Sequence, residues 1–322
     1  MLTSRPARGV PERVEFLDQF RGFTVSMMIL VNILSGFAIV PAWLKHATTM
    51  GRVTVPDFVI PTFLFIIGVA FELAFPRSLA AHGAGKTVWR FTRRSLVLVA
   101  FGILGSVLLR HNIALEWGVL ETLGMAGLVA LPFMFLRPRW RPVAAVLLVA
   151  LYELISRLGL RAWLLANDTG HLGGIPGGLA WAGVVLLGSL AGSFVRTRDV
   201  RGLGVCCIAV AVTGIAAGLL LSRWLPVYKP PVTITYLSLT TGTAAALLLA
   251  FSVLNLRFPP FKVFGVNALA IFMLHGIILV TVMQHVPAAS PLPVVVLVLA
   301  CVYGLCGLVA AVLYRLRVFI RL

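Results

Sequence analysis

Long apolar runs, broken at intervals by short clusters of charge, proline and glycine, set the rhythm of this chain. A helix needs roughly 20 apolar residues to cross a bilayer. By that measure the pattern predicts ten spans, at about 19–40, 56–75, 94–110, 116–136, 141–158, 177–195, 202–225, 232–255, 261–284 and 292–314. The expected architecture is an all-α, polytopic transmembrane bundle formed as a single membrane-embedded domain over residues 1–322. Residues 1–18 form a polar leading segment with no small-residue cleavage pattern, so no cleavable signal is expected. The longest connection on the outer side is 157–176, rich in glycine, which reads either as a lid or acceptor-binding loop or as a plain solvated connection. Small-residue pairs such as Gly102 with Gly105 and Gly188 with Gly192 read as helix-packing surfaces.

Composition agrees with the pattern. Hydrophobic residues make up 60% of the chain and charged residues 11%, against about a quarter charged in soluble domains. The formal charge of +17 would suit a nucleic-acid partner in a soluble protein. Here its distribution explains it otherwise. With ten spans, 20 of the 27 Lys and Arg residues fall on one side. That is the bias of cytoplasmic loops, so both termini are expected in the cytoplasm and no nucleic acid is implied. An integral, multi-pass protein of a bacterial cytoplasmic membrane is expected, in contact with membrane lipids. The four cysteines lie in apolar runs without metal-ligand spacing. They read as small packing residues, and no metal is expected.

Polar side chains within apolar spans are costly and draw attention to function. Asn32 interrupts the run MMILVNILSG, His46 lies in the connection that follows, and Asp57 heads the next span. Asn32 stands 14 residues beyond Asp18, about 21 Å along a helix, which places it in the outer half of the membrane on the His46 side. An imidazole titrates near neutrality and serves as a general base. An amide can stabilise an oxyanion, and a carboxylate can orient the imidazole. Structural alternatives stand beside each role. They are a hydrated interfacial His46, an interhelical hydrogen bond for Asn32, and a helix-capping box of Thr54 and Asp57 with Pro56 in the first turn. The last is compatible with an orienting role. Asp18 and Arg21 read as a local pair, and Gly22 as a point of close helix approach. Asn267 and His275 are eight residues apart and fall on nearly one helix face. Arg77, Lys86, Arg90, Arg93 and Arg94 crowd the connection 76–94, facing either anionic lipid headgroups or a phosphorylated cytosolic donor. Buried Glu72, Glu121 and Glu153 leave open a proton-coupled transporter or flippase.

Several of these segments together resemble a known family. LDQFRG (17–22), MMILVN (27–32) and KHATTMGRVTVPDFVIPTFLFIIG (45–68) are similar to the opening motifs of the heparan-α-glucosaminide N-acetyltransferase family of multi-spanning membrane acyltransferases. GVLETLG (118–124), KPPVTITYLSLTTG (229–242) and VFGVNALAIFMLHGIIL (263–279) resemble later family segments in the same order. The resemblance implies acetyl-CoA or another acyl-CoA as a cytosolic donor and a sugar or glycan acceptor on the far side. It puts the family's catalytic histidine on His46, its asparagine on Asn32 and its acidic residue on Asp57. The candidates for binding such a donor come from the residues themselves: Arg90, Arg93 and Arg94 of the charged connection, and Asn267 with His275. A homodimer follows from the same analogy. Direct attack in a ternary complex and an acyl-histidine intermediate both remain open. Two positions depart from the family pattern. Thr49 stands where a tryptophan is usual, and Glu121-Thr122 where Gln-Arg is usual.

Overall fold

A computed structural model describes residues 14–47, 49–110, 117–167, 171–254 and 258–318. Among them every regular element is helical. In chain order they are α1 Glu15–Ser35, α2 Val59–Arg110, α3 Val119–Ala130, α4 Arg141–Ile155, α5 Arg161–Asn167, α6 Gly174–Thr197, α7 Val200–Leu221, α8 Ile234–Leu254, α9 Pro259–Val266, α10 Ala268–His285 and α11 Leu292–Arg315. Seven stretches among the described residues are long and apolar enough to cross a membrane. With the outward-facing Val, Ile and Leu of α4, α7 and α11, they mark an integral membrane protein, because lipid accepts backbone only when it is internally hydrogen-bonded.

Ten spans were expected, and several of them take a different form in the fold. The two expected at 56–75 and 94–110 are the two limbs of α2, parted at Gly83. The chain reverses there at φ 74, a value glycine adopts without a Cβ penalty. The two limbs lie against each other: Ser78 meets Thr87 at 3.0 Å, and Phe71 and Phe75 both pack on Phe91, with ring centroids 5.0 and 5.5 Å apart. The connection expected over 76–94 is therefore helical almost throughout, and its turn is confined to Gly83. Helix α1 carries Glu15, Asp18, Gln19 and Arg21 in its first turns and Asn32 near its end, which lowers its hydropathy. Helix α3 has only 12 residues before it tightens into a 3-10 turn at Leu131–Phe135. The span expected at 261–284 is broken at Asn267 into α9 and α10.

The connection 157–176 also departs from a loop. Residues 156–160 widen into a π-turn around Gly159, and α5 follows directly. Residues 168–170 of that connection, residues 1–13 of the N-terminal segment and residues 111–116 after α2 lie outside the described residues.

Helix α6 is the centre of the bundle, with α2, α3 and α4 packed around it. The α2–α6 crossing is set by glycine. A Cβ on Gly68 would strike the carbonyl of Val185, and one on Gly188 the carbonyl of Phe65. Gly192 lies against Val69 and Glu72, so the expected packing role of Gly188 and Gly192 is met. Gly102 lies against the Glu121 side chain, but Gly105 faces open space. Gly22 lets α1 approach the backbone of α9 at Phe261. Asp18 and Arg21 pair at 3.1 Å.

Two of the three buried acids that left a proton carrier open, Glu72 and Glu153, are held by arginines. Glu72 pairs with Arg141 at 2.5 Å and Arg196 at 2.9 Å, tying α2, α4 and α6 together. Glu153 pairs with Arg157 at 3.0 Å and Arg161 at 3.1 Å. Burying such charges is tolerable only when they are paired. Fixed ion pairs of this kind give these two acids a structural use.

Candidate active site

The site forms where two connections meet at one end of the bundle. The first runs from Gly36 to Phe58. It passes through a 3-10 turn at Ala42–Leu44 and ends in a second at Val55–Phe58 that leads into α2. The second joins α7 to α8 over residues 222–233. The N–H of Gly51 donates to the Val227 carbonyl at 2.8 Å and couples them.

Asp57 is the anchor. It is fully buried, and its position follows from the capping box read in the sequence. Its Oδ2 accepts the Thr54 N–H at 3.0 Å, the Thr54 hydroxyl at 2.9 Å and the Ala47 N–H at 3.3 Å. Its backbone carbonyl accepts the Tyr236 hydroxyl of α8 at 2.7 Å. The other carboxylate oxygen, Oδ1, lies 3.3 Å from His46 Nδ1 and 3.1 Å from Lys229 Nζ. Capping and orienting thus use different oxygens of one carboxylate. The His46 side chain is 40% exposed while that of Asp57 is not exposed at all, so a buried carboxylate holds a partly exposed imidazole.

Lys229 is the member that sequence reasoning missed. It entered only as one of the few basic residues on the sparsely charged side, at the head of the segment KPPVTITYLSLTTG. That a lysine survives beside two prolines on that side was the available signal. In the fold its Nζ lies 2.8 Å from His46 Nδ1, across 183 residues of sequence. The loop that presents it is tightly held. Val232 sits at φ 48, a left-handed conformation that is costly for a β-branched residue, and its N–H closes a turn onto the Lys229 carbonyl at 2.9 Å. Tyr152 of α4 donates to the Pro231 carbonyl at 2.6 Å, and the Gly173 N–H to that of Pro230 at 2.8 Å. Burial pushes the Lys229 ammonium below its usual pKa of 10.5, with Asp57 pulling the other way.

Asn32 enters a second pair. Its Nδ2 lies 3.1 Å from His275 Nε2 on α10. The ends of α1 and α10 are tied again by the Ala38 N–H on the Ala288 carbonyl at 2.7 Å. Asn267 does not share this place. It stands in the break between α9 and α10, and its amide donates to the Val318 carbonyl at 3.1 Å. The break removes the common helix face expected of Asn267 and His275.

Arg90, Arg93 and Arg94 line a cleft of about 320 Å³ together with Ala74, Ser78, Phe91 and Val97. It opens between the two limbs of α2. Ala74 is 17 residues from Asp57 along the first limb, roughly 25 Å of helix, so the cationic cleft and the His46 site lie toward opposite ends of that limb. A separate apolar groove of about 840 Å³ runs between α4, α6, α7 and α8 and holds none of these residues. Among the described residues no three His, Cys, Asp or Glu side chains gather as metal ligands would.

An exposed imidazole backed by a buried carboxylate is an arrangement for moving a proton at a bound substrate. The comparisons with known proteins bear on which substrate that is. Residues 13–229 match the family described as heparan-alpha-glucosaminide N-acetyltransferase, catalytic. Heparan-alpha-glucosaminide N-acetyltransferase of Mus musculus is 32% identical over 154 residues, which is 42% of this chain and 21% of the mouse protein. The Homo sapiens protein of the same name is 32% identical over 147 residues, 40% of this chain and 20% of its own length. The matched region thus spans about a fifth of these relatives.

Proposed function

The chain belongs to the heparan-alpha-glucosaminide N-acetyltransferase catalytic family, and from that premise we propose that it is a membrane acyltransferase drawing an acetyl or other acyl group from acyl-CoA. The observation that carries the reading is the His46–Asp57 pair inside the family match, with the imidazole open and the carboxylate buried.

The donor enters on the cytoplasmic side, where the charge bias puts the arginine-rich end. Arg90, Arg93 and Arg94 receive the phosphates of the CoA nucleotide, since guanidinium groups hold phosphate through charge-assisted hydrogen bonds. The thioester extends along the bundle toward the far end. There His46 takes a proton from an amine or hydroxyl of a sugar-like acceptor. The acceptor's nitrogen or oxygen attacks the thioester carbon, and CoA leaves as the thiolate. Asp57 fixes the ring of His46. The Asn32 amide, oriented by His275, supplies a donor to the oxyanion of the tetrahedral intermediate. The departure at Thr49 from the family pattern falls beside His46, where it bears on the shape of the acceptor pocket.

The test is release of free CoA by the purified chain in lipid, with several acyl-CoAs and a pool of amino sugars and glycans. Release that requires both an acceptor and His46 is expected. Absence of release by a folded protein with every donor would overturn the reading.

A further inference from the structure

The site contains a choice that the general-base reading leaves open. A neutral imidazole carries one N–H and one lone pair. His46 Nδ1 faces a carboxylate, Asp57 Oδ1 at 3.3 Å, and an amine, Lys229 Nζ at 2.8 Å. It can serve only one of them in a given protonation state. When Lys229 is an ammonium it donates to the Nδ1 lone pair and to Asp57 Oδ1. The ring proton then sits on Nε2, and Nε2 offers a donor where a base needs a lone pair. When Lys229 is an amine, Nδ1–H donates to Asp57 Oδ1, and Nε2 presents its lone pair to the acceptor.

We propose that Lys229 is a positioning residue that selects the tautomer of His46, so that Nε2 acts as a base only after Lys229 has given up its proton. The catalytic consequence rests on the acyltransfer reading above; the tautomer selection itself does not. The change needs no movement of heavy atoms. The N–H bond of the ammonium that points at Nδ1 breaks and its proton passes to Nδ1, while Nε2 gives its proton to water, so one proton leaves the pair in all. Charge is accommodated throughout. The three hydrogen bonds on Asp57 Oδ2 persist in both states and keep the carboxylate ionised, while Oδ1 exchanges Lys229 for Nδ1–H.

Two further observations support this. The Lys229 loop is over-determined by Tyr152, Gly173 and Gly51 and carries strain at Val232, so the amine is held in place instead of swinging into solvent. Its side chain is only 14% exposed, and burial shifts its titration toward neutrality. Among the described residues, Lys229 faces the titratable groups of Asp57, at the start of α2, and of His46, in the first connection. Tyr236 of α8 reaches Asp57 through the backbone, and Tyr152 of α4 reaches the same loop at Pro231.

The experiment is nitrogen NMR of the full chain labelled at histidine, in lipid nanodiscs without substrate, with His46 assigned by difference against His46→Gln. The two ring nitrogens report directly which one bears the proton. Wild type is expected as the Nε2–H form at neutral pH, converting to Nδ1–H as the pH is raised. Lys229→Arg, which stays charged, should remain Nε2–H wherever the ring is neutral, and Lys229→Met should be Nδ1–H over that same range. The wild-type titration alone decides the matter if a variant fails to fold. A tautomer that is unchanged by pH in wild type and the same in the folded variants overturns the proposal. Transfer rates give the second readout. Lys229→Arg should lose roughly 10²–10⁴-fold in kcat, the usual worth of a general base, with KM for acyl-CoA unchanged. Lys229→Met should lose the alkaline rise of the wild-type pH profile. Tautomers that respond as stated in a chain that transfers no acyl group under any condition would sink the acyltransferase reading and leave the selection by Lys229 standing.

Discussion

Asp57 holds three parts of the chain with one carboxylate: the His46 connection, its own helix start and the Lys229 loop. Replacing it by Asn leaves a buried ammonium uncompensated, which typically costs roughly 3–5 kcal/mol. Asp57→Asn is therefore expected to lower the unfolding midpoint strongly, and Asp57→Asn combined with Lys229→Met to regain part of that loss. A double mutant no more stable than the single one would show that the two residues are not coupled. His46, being 40% exposed, behaves differently. His46→Ala should leave the midpoint nearly unchanged while lowering CoA release roughly 10²–10⁴-fold. Lys229 also leaves a mark on stability against pH. Its pKa is lower folded than unfolded, so between the folded value and 10.5 the unfolded chain binds more protons. Unfolding free energy should rise with pH across that window, and the rise should be smaller in Lys229→Met, as read by denaturation at a series of pH values.

At the scale of elements, packing depends on where backbones touch. Gly68 and Gly188 face carbonyls across the α2–α6 crossing, whereas Gly105 faces nothing within 4 Å. Overpacking a core typically costs about 1–3 kcal/mol, more against unyielding backbone. Gly188→Leu should reduce the folded yield and midpoint in size-exclusion and thermal assays, and Gly105→Leu should not. The same contrast shows what a sequence can tell. Both glycines sit in small-residue pairs, and spacing alone cannot say which pair meets a neighbour. Apolar run length located the helices well because burial of backbone polar groups in lipid forces helix wherever the run is long enough. The connection expected over 76–94 is mostly helix because the Ala-rich flanks of Gly83 are good helix formers, and the helix continues on both sides up to that residue. His46 and Asp57 were legible together because a capping box fixes Asp57 locally and the two are 11 residues apart. Lys229 and His275 were paired by contacts across 172 and 243 residues. Such pairs depend on how connections cross at the end of the bundle, and no local periodicity encodes that.

At the scale of the whole molecule, the reaction proposed here needs two chemistries at two ends of one bundle. The arginine cleft between the limbs of α2 and the His46–Asp57–Lys229 cluster are separated by about 17 residues of helix, roughly 25 Å. A donor that bridges them must be long, and its charge must lie at the far end from its reacting atom. Acyl-CoA has that form: phosphates at one end, thioester at the other. The separation makes a sharp expectation. Replacing Arg90, Arg93 and Arg94 by Gln removes charge-assisted contacts worth about 1.5–3 kcal/mol each without touching the reacting atoms. KM for acyl-CoA should rise roughly tenfold to a hundredfold per lost contact, with kcat little changed, and the wild-type KM should itself climb with ionic strength. A truncated pantetheine thioester lacks the nucleotide phosphates, so its weaker transfer should be indifferent to the same substitutions and to salt. His46→Ala should lower transfer from both donors by the same roughly 10²–10⁴-fold. If the Gln variants weaken the truncated donor as much as the full one, the arginines act on the fold and the donor's phosphates lie elsewhere. If only the full donor suffers, the cleft is where the CoA end is held, and the length of α2's first limb sets the reach that the thioester has to cover.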